Sequence, residues 1–128
     1  MTAVMWGAAV LAAILHVVFF CAESLWWEKP AVTHGFQMTA EDARTTRLIA
    51  FNQGFYNLML ALGVFAGLFA WIQGQENVGL GIAAWSCLSM VVAGLVLIAS
   101  APNLKSGAFV QIAPPLVFLV FLGLRLAA

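Results

Sequence analysis

The chain has 128 residues and no formal net charge; 64% of its residues are hydrophobic and only 8% are charged. A soluble domain carries roughly 25% charged residues, and so short a chain has no core large enough to hide this much apolar surface, so most of it must face lipid. No basic patch exists to hold a phosphate backbone, which disfavours nucleic acid as a partner.

Four long stretches without charged residues predict four transmembrane helices, since a bilayer core about 30 Å thick needs roughly 20 apolar residues per helix. The strict alternation of barrel strands is absent, which leaves helices as the spanning structure. We therefore expect an all-α, polytopic membrane protein that forms one compact four-helix bundle, a single membrane domain. The expected helices cover residues 2–27, 46–72, 78–100 and 107–126, with an extramembrane loop one at 28–45. The first stretch lacks the basic start of a signal peptide, so we interpret it as the first helix.

Basic residues are divided unevenly between the two ends of such a bundle. Loop one and loop three, around residues 102–105, share an end that holds Lys29, Arg44, Arg47 and Lys105, whereas Arg125 lies at the other end. The positive-inside rule then predicts a multi-pass protein of the cell (inner) membrane, with loops one and three in the cytoplasm and both termini outside.

Polar side chains within the expected spans mark a candidate site, because such residues are costly in lipid. His16 and Glu23 lie seven residues apart, on one face of an α-helix, and the polar residues of helix two occupy an arc of about 140°. By depth they form one polar layer in the cytoplasmic half of the bundle. The candidate ligand-binding or proton-coupling residues are His16, Glu23, Asn52, Gln53, Tyr56, Asn57 and Gln111. The alternative is that the amides join helices, His16 packs, and Glu23 extends to water.

Established catalytic and nucleotide-binding motifs such as G-x-S-x-G, HExxH and the P-loop are absent, so no catalytic residue is assigned. His16 and Glu23 are two ligands at a spacing that indicates a metal only weakly, and no metal site is predicted. The sequence does not identify a cofactor.

Three segments are similar to a known family pattern: Glu23 to Trp26 after the helix-one histidine, the run Asn-Gln-Gly-Phe-Tyr-Asn at 52–57, and Gln-Ile-Ala-Pro at 111–114. The family's patterns are N-Q-G-x-Y-N at the second and Q-x-x-P at the third. On these segments the chain resembles the small bacterial and fungal membrane proteins grouped as domain of unknown function 1304. Ser24 and Pro115 depart from the pattern. The resemblance implies a four-helix membrane fold and no particular function.

Three functions remain open at this stage. The first is binding or transport of a small lipophilic molecule through the polar layer, with Glu23 exchanging a proton for the ligand and a homodimer enclosing enough space. The second is a membrane-embedded enzyme of the isomerase or epoxide-opening type, with Glu23 and His16 as acid and base and Tyr56 or Asn57 polarising the substrate. The third is an accessory subunit of a larger membrane complex. We favour the first, because the polar residues are concentrated in one layer.

Overall fold

The structure, a computed structural model, describes all residues from 1 to 128 and consists of helices joined by short connections. Helix α1 (Thr2–Phe20) continues into a π-helical turn (Cys21–Leu25), and the short helix α2 (Pro30–Gly35) lies within loop one. Helices α3 (Ala40–Ile72) and α4 (Glu76–Ser100) follow, and a 3₁₀ turn (Pro102–Leu104) leads into α5 (Lys105–Leu126). The sequence did not indicate α2 or the π-helical turn.

The four long helices form a ring in chain order. Helix α1 packs against α3 and α5, and α4 packs against the same two helices, whereas α1 and α4 face each other diagonally and hardly touch. Each of the four is long and apolar enough to cross a membrane. The predicted fold class, an all-α bundle of four membrane-spanning helices, is confirmed. We call the end with loops one and three the loop side and the opposite end the terminal side.

Helix α3 begins with a capping box at Thr39. The Asp42 amide donates to the Thr39 hydroxyl oxygen at 3.1 Å, and the Thr39 amide donates back to the Asp42 carboxylate at 3.2 Å. The 33 residues of this helix extend for about 50 Å, which exceeds the apolar thickness of a bilayer. The first turns, which carry Arg44 and Arg47, therefore extend beyond the apolar layer on the loop side.

The hydrophobic core lies towards the terminal side. Trp6 is its largest member, 6% exposed, with its ring centroid 5.6 Å from those of both Trp71 and Phe118. Trp85, by contrast, is 72% exposed and points out of the bundle towards the surroundings. Many of the fully buried positions are small residues, among them Ala9, Ala12, Ala13, Ala61 and Ala83.

Helices α3 and α4 touch backbone to backbone at two glycines. A Cβ atom at Gly67 would lie 2.7 Å from the Gly79 carbonyl oxygen, and one at Gly79 would lie 2.7 Å from the Trp71 amide nitrogen. Small residues at such crossings allow membrane helices to approach closely. Packing between α3 and α4 is therefore tight on the terminal side, and the two larger cavities lie on the loop side.

Candidate functional site

A partly open cavity of about 640 Å³ occupies the loop side of the bundle. All four long helices contribute to its wall, and the segments of loops one and three border its mouth. The residues that line it include Phe19, Glu23, Phe36, Gln37, Gln53, Asn57, Ala93, Val96, Leu97, Asn103, Gly107 and Gln111. Most of the surface is apolar, with a few polar side chains, which is the usual composition of a small-molecule site.

Glu23 and Asn57 form the polar centre of this cavity. The Asn57 side-chain amide donates to the Glu23 carboxylate at 2.7 Å, joining the π-helical turn after α1 to the middle of α3. Asn57 is 7% exposed, and neither ion pair of the chain, Arg47–Glu28 or Arg125–Glu76, includes Glu23. The carboxyl group is thus held by a neutral donor, with no cationic side chain within 4.0 Å.

The π-helical turn brings Glu23 to this position. The Trp26 amide bonds the Cys21 carbonyl oxygen at 3.0 Å, five residues back, and this wider turn changes the direction of the side chains that follow. Ser24 donates to the Phe51 carbonyl oxygen of α3 at 2.9 Å. Gly54 permits the approach, because a Cβ there would meet Ser24 Oγ and lie 3.1 Å from the Phe20 carbonyl oxygen. Gly54, in the 52–57 segment, therefore allows the end of α1 to pack closely against α3.

Gln53 and Gln111 also line the cavity, from α3 and α5. The Gln111 side-chain nitrogen lies 3.4 Å from the Met90 carbonyl oxygen, a long hydrogen bond that links α5 to α4. Pro114 and Pro115 lie within α5 and have no amide hydrogen, so the carbonyl groups four residues before them, at Val110 and Gln111, lack their usual donors. This part of α5 is therefore rich in hydrogen-bond acceptors.

Three of the seven candidate residues lie outside the cavity lining. His16 is fully buried, bonds the Ala12 carbonyl oxygen through Nδ1 at 2.8 Å, and has no partner for Nε2. Asn52 donates to the Leu48 carbonyl oxygen of its own helix at 3.0 Å, and Tyr56 is 68% exposed. Asn52 and Tyr56 lie four residues apart on one face of α3. Gln53 and Asn57 line the cavity, so the predicted arc of polar residues is divided between the cavity and another face of the helix.

Loop residues at the mouth of the cavity were missed by the sequence reasoning. The Gln37 side-chain nitrogen donates to the Asn103 carbonyl oxygen at 3.2 Å, and the Asn103 side-chain nitrogen lies 3.4 Å from Gln37 Oε1. Gln37 has a φ of 55°, in the left-handed region that non-glycine residues rarely adopt. The two residues are 66 positions apart, so no local pattern could have paired them.

Glu23 also borders a second, smaller cavity of about 370 Å³ on the other side of the π-helical turn. Its rim is charged: Arg47 lies 3.4 Å from Glu28, and the Lys29 ammonium lies 5.2 Å from the centre of the Trp26 ring. Such pairing of Trp and Lys is typical of a helix end at the membrane surface. No three His, Cys, Asp or Glu side chains lie close enough together to hold a metal ion.

The fold and the cavity define a class: multi-pass membrane proteins with a four-helix bundle whose largest cavity opens at one end. Within that class, the family model described as Protein of unknown function (DUF1304) matches residues 10–123, and the chain belongs to this family. The match includes the segments at 23–26, 52–57 and 111–114, and the resemblance drawn from the sequence is confirmed. No curated protein and no solved structure matched the chain.

Proposed function

We propose that this protein binds a small lipophilic molecule in the 640 Å³ cavity and transports it between the bilayer and the aqueous loop side. The observation that carries the proposal is the Glu23–Asn57 pair, joined at 2.7 Å, within a largely apolar cavity of four membrane helices. A volume of this size is within the range of small-molecule sites, roughly 300–1,000 Å³.

The division of the wall supports an amphipathic ligand. Helix α4 contributes Ala93, Val96 and Leu97, which suit an apolar body, whereas Glu23 comes from the π-helical turn and Asn57 from α3. A few fixed polar groups in an apolar pocket orient a ligand, because each must find a partner when water leaves. Exchange of a proton on Glu23 for the ligand would couple binding to transport.

The cavity can be tested by filling it. Gly107 lines it, and a Cβ at Gly107 would meet no atom within 4 Å, so Gly107→Trp has space for its first side-chain atom and adds bulk at the cavity. Gly123→Trp is the matched control, since Gly123 lies in the same helix with equal free space and outside the cavity. In native mass spectrometry from a mild detergent, we expect wild type and Gly123→Trp to retain a co-purified lipophile that Gly107→Trp loses. Equal retention in all three proteins would contradict the proposal.

Transport is tested with the carboxyl group. Glu23→Gln removes the ionisable group of the cavity, and Glu41→Gln makes the same chemical change at an exposed position outside it. In proteoliposomes, movement of the identified lipophile should fall in Glu23→Gln and remain at the wild-type rate in Glu41→Gln. If both variants transport at the wild-type rate, the carboxyl group has no role in transport.

The acid–base enzyme alternative requires His16 and Glu23 in one pocket, and the burial of His16 outside the cavity lining gives that pairing no support. The accessory-subunit alternative predicts partner proteins in a fixed ratio in the same native mass spectra. A homodimer would give a doubled mass and would enlarge the enclosed space.

The orientation that we propose puts the mouth of the cavity in the cytoplasm. The loop side holds Lys29, Arg44, Arg47 and Lys105, whereas Arg125 at the terminal side is paired with Glu76. The orientation can be measured with two variants, Glu41→Cys and Gln75→Cys, each made in a chain that also carries Cys21→Ala and Cys87→Ala. Intact cells are treated with a membrane-impermeant maleimide, which labels only cysteines outside the cell. We expect labelling at Gln75 and none at Glu41, and the reverse pattern would invert the orientation.

A further inference from the structure

The ligand can be specified further from the charge of the cavity. Glu23 is its sole ionisable residue, because the lining contains no Lys, Arg, His or second carboxyl group. Its hydrogen-bond partner there, Asn57, is neutral. An anion in an apolar setting needs compensation, and no cationic side chain lines this cavity; Lys29 and Arg47 border the second cavity instead.

Two amide groups of the cavity, those of Asn57 and Gln111, have an oxygen atom free for a ligand. Asn57 donates its nitrogen to the Glu23 carboxylate and Gln111 directs its nitrogen towards the Met90 carbonyl oxygen, and an ionised carboxylate and a backbone carbonyl both accept without donating. The amide orientations are therefore set by the partners, which leaves Asn57 Oδ1 and Gln111 Oε1 free to accept. With the second oxygen of Glu23, the polar groups form an acceptor-rich site that suits a ligand carrying hydrogen-bond donors.

Two aromatic residues line the same cavity. Phe19 precedes Glu23 by one turn of α1, and Phe36 borders the cavity from loop one. The faces of aromatic rings attract ammonium groups, and the attraction is stronger where water is excluded. Charge, acceptor geometry and aromatic lining thus favour the same chemical group.

We propose that the cavity selects a lipophilic amine in its protonated, ammonium form, with the ammonium group between Glu23, Asn57 and Gln111 and the apolar body along α4. This inference rests on the proposed function and names its ligand class. A neutral alcohol would fill the same space but could not replace the proton on Glu23 with a positive charge of its own. An alkyl carboxylate would add a second negative charge beside Glu23 and would be rejected.

The test uses three probes of equal chain length: nonylamine, nonan-1-ol and nonanoate. Each is titrated into the detergent-solubilised full-length protein near neutral pH, and binding is counted by native mass spectrometry. Gly107→Trp measures the non-specific background. We expect wild type to bind the amine about tenfold or more tightly than the alcohol, as a charge-assisted hydrogen bond provides, and nonanoate to bind most weakly. Glu23→Gln should remove the preference for the amine over the alcohol, and Glu41→Gln should behave as wild type.

The outcomes separate this inference from the proposal on which it rests. Equal affinities for amine and alcohol in wild type, or a preference for nonanoate, would overturn the ammonium assignment while a cavity that binds lipophiles remains. This comparison is made within wild type and does not depend on the folding of a variant. If no probe binds above the Gly107→Trp background, both the inference and the proposed function fail.

Discussion

The contact between α3 and α4 at Gly79 makes a prediction that separates close packing from helix propensity. A Cβ at Gly79 would lie 2.8 Å from Trp71 Cβ and 2.5 Å from the Gly67 carbonyl oxygen. Carbon atoms pack best at about 3.5–4.0 Å, so Gly79→Ala requires α3 and α4 to separate by about 0.7 Å or more at this point. Since the obstructing atoms are backbone and Cβ, a change of rotamer cannot relieve the clash.

Gly81→Ala is the matched control, because Gly81 lies two residues further along α4 and its Cβ would meet nothing within 4 Å. Both substitutions gain the propensity of Ala over Gly, so the gain cancels in their difference. Overpacking of this kind costs about 1–3 kcal/mol, and we expect Gly79→Ala to be less stable than Gly81→Ala by that amount. Such a gap corresponds to roughly a five- to 150-fold difference in the unfolding equilibrium.

The assay is equilibrium unfolding in mixed micelles with increasing SDS fraction, followed by the fluorescence of the five tryptophans. The free energies of unfolding of wild type and both variants are compared at one SDS fraction. Equal stability of the two variants would refute the backbone contact between α3 and α4.

Further predictions concern the core, the seat of α1 and the mouth of the cavity. Trp6→Ala should lower the free energy of unfolding by about 3 kcal/mol or more, because Trp6 is only 6% exposed. Trp85→Ala, at a side chain that is 72% exposed, should change it by about 0.5 kcal/mol or less. Similar losses for both variants would place Trp6 outside the core. Gly54→Ala should cost less stability in a Ser24→Ala background than in wild type, because Ser24 Oγ occupies the space that the new Cβ needs. A double-mutant cycle should show a coupling free energy of about 0.5 kcal/mol or more. Additive effects would mean that the two residues are not in contact. Gln37→Gly should be more stable than Gln37→Ala by about 1 kcal/mol, because φ at Gln37 is 55°. Both variants lose the same side-chain hydrogen bonds, so only the backbone preference differs. The opposite order in thermal unfolding would contradict the left-handed backbone at this residue.

The candidate site was predicted in part, and the residues show why. Glu23 and Asn57 could be singled out because a carboxyl group and an amide are expensive within an apolar span. Their direct contact involves the π-helical turn at Cys21–Leu25, and no local sequence pattern predicts that turn. His16 shares a face with Glu23 only if the helix keeps 3.6 residues per turn. The wider turn begins at Cys21, between the two residues, and alters that relation, and His16 does not line the cavity.

Composition and the spacing of charged residues were sufficient for the class of fold. A bilayer requires about 20 apolar residues per span, and four stretches of this chain are long enough; the need to bond backbone groups internally then favours helices. Those are local requirements, which a sequence states directly. The cavity depends instead on contacts between distant residues: the crossing at Gly67 and Gly79 closes the terminal side, and Gln37 meets Asn103 at the mouth on the loop side. Only the tertiary structure could decide which polar side chains share one space, because that depends on how the helices turn and cross.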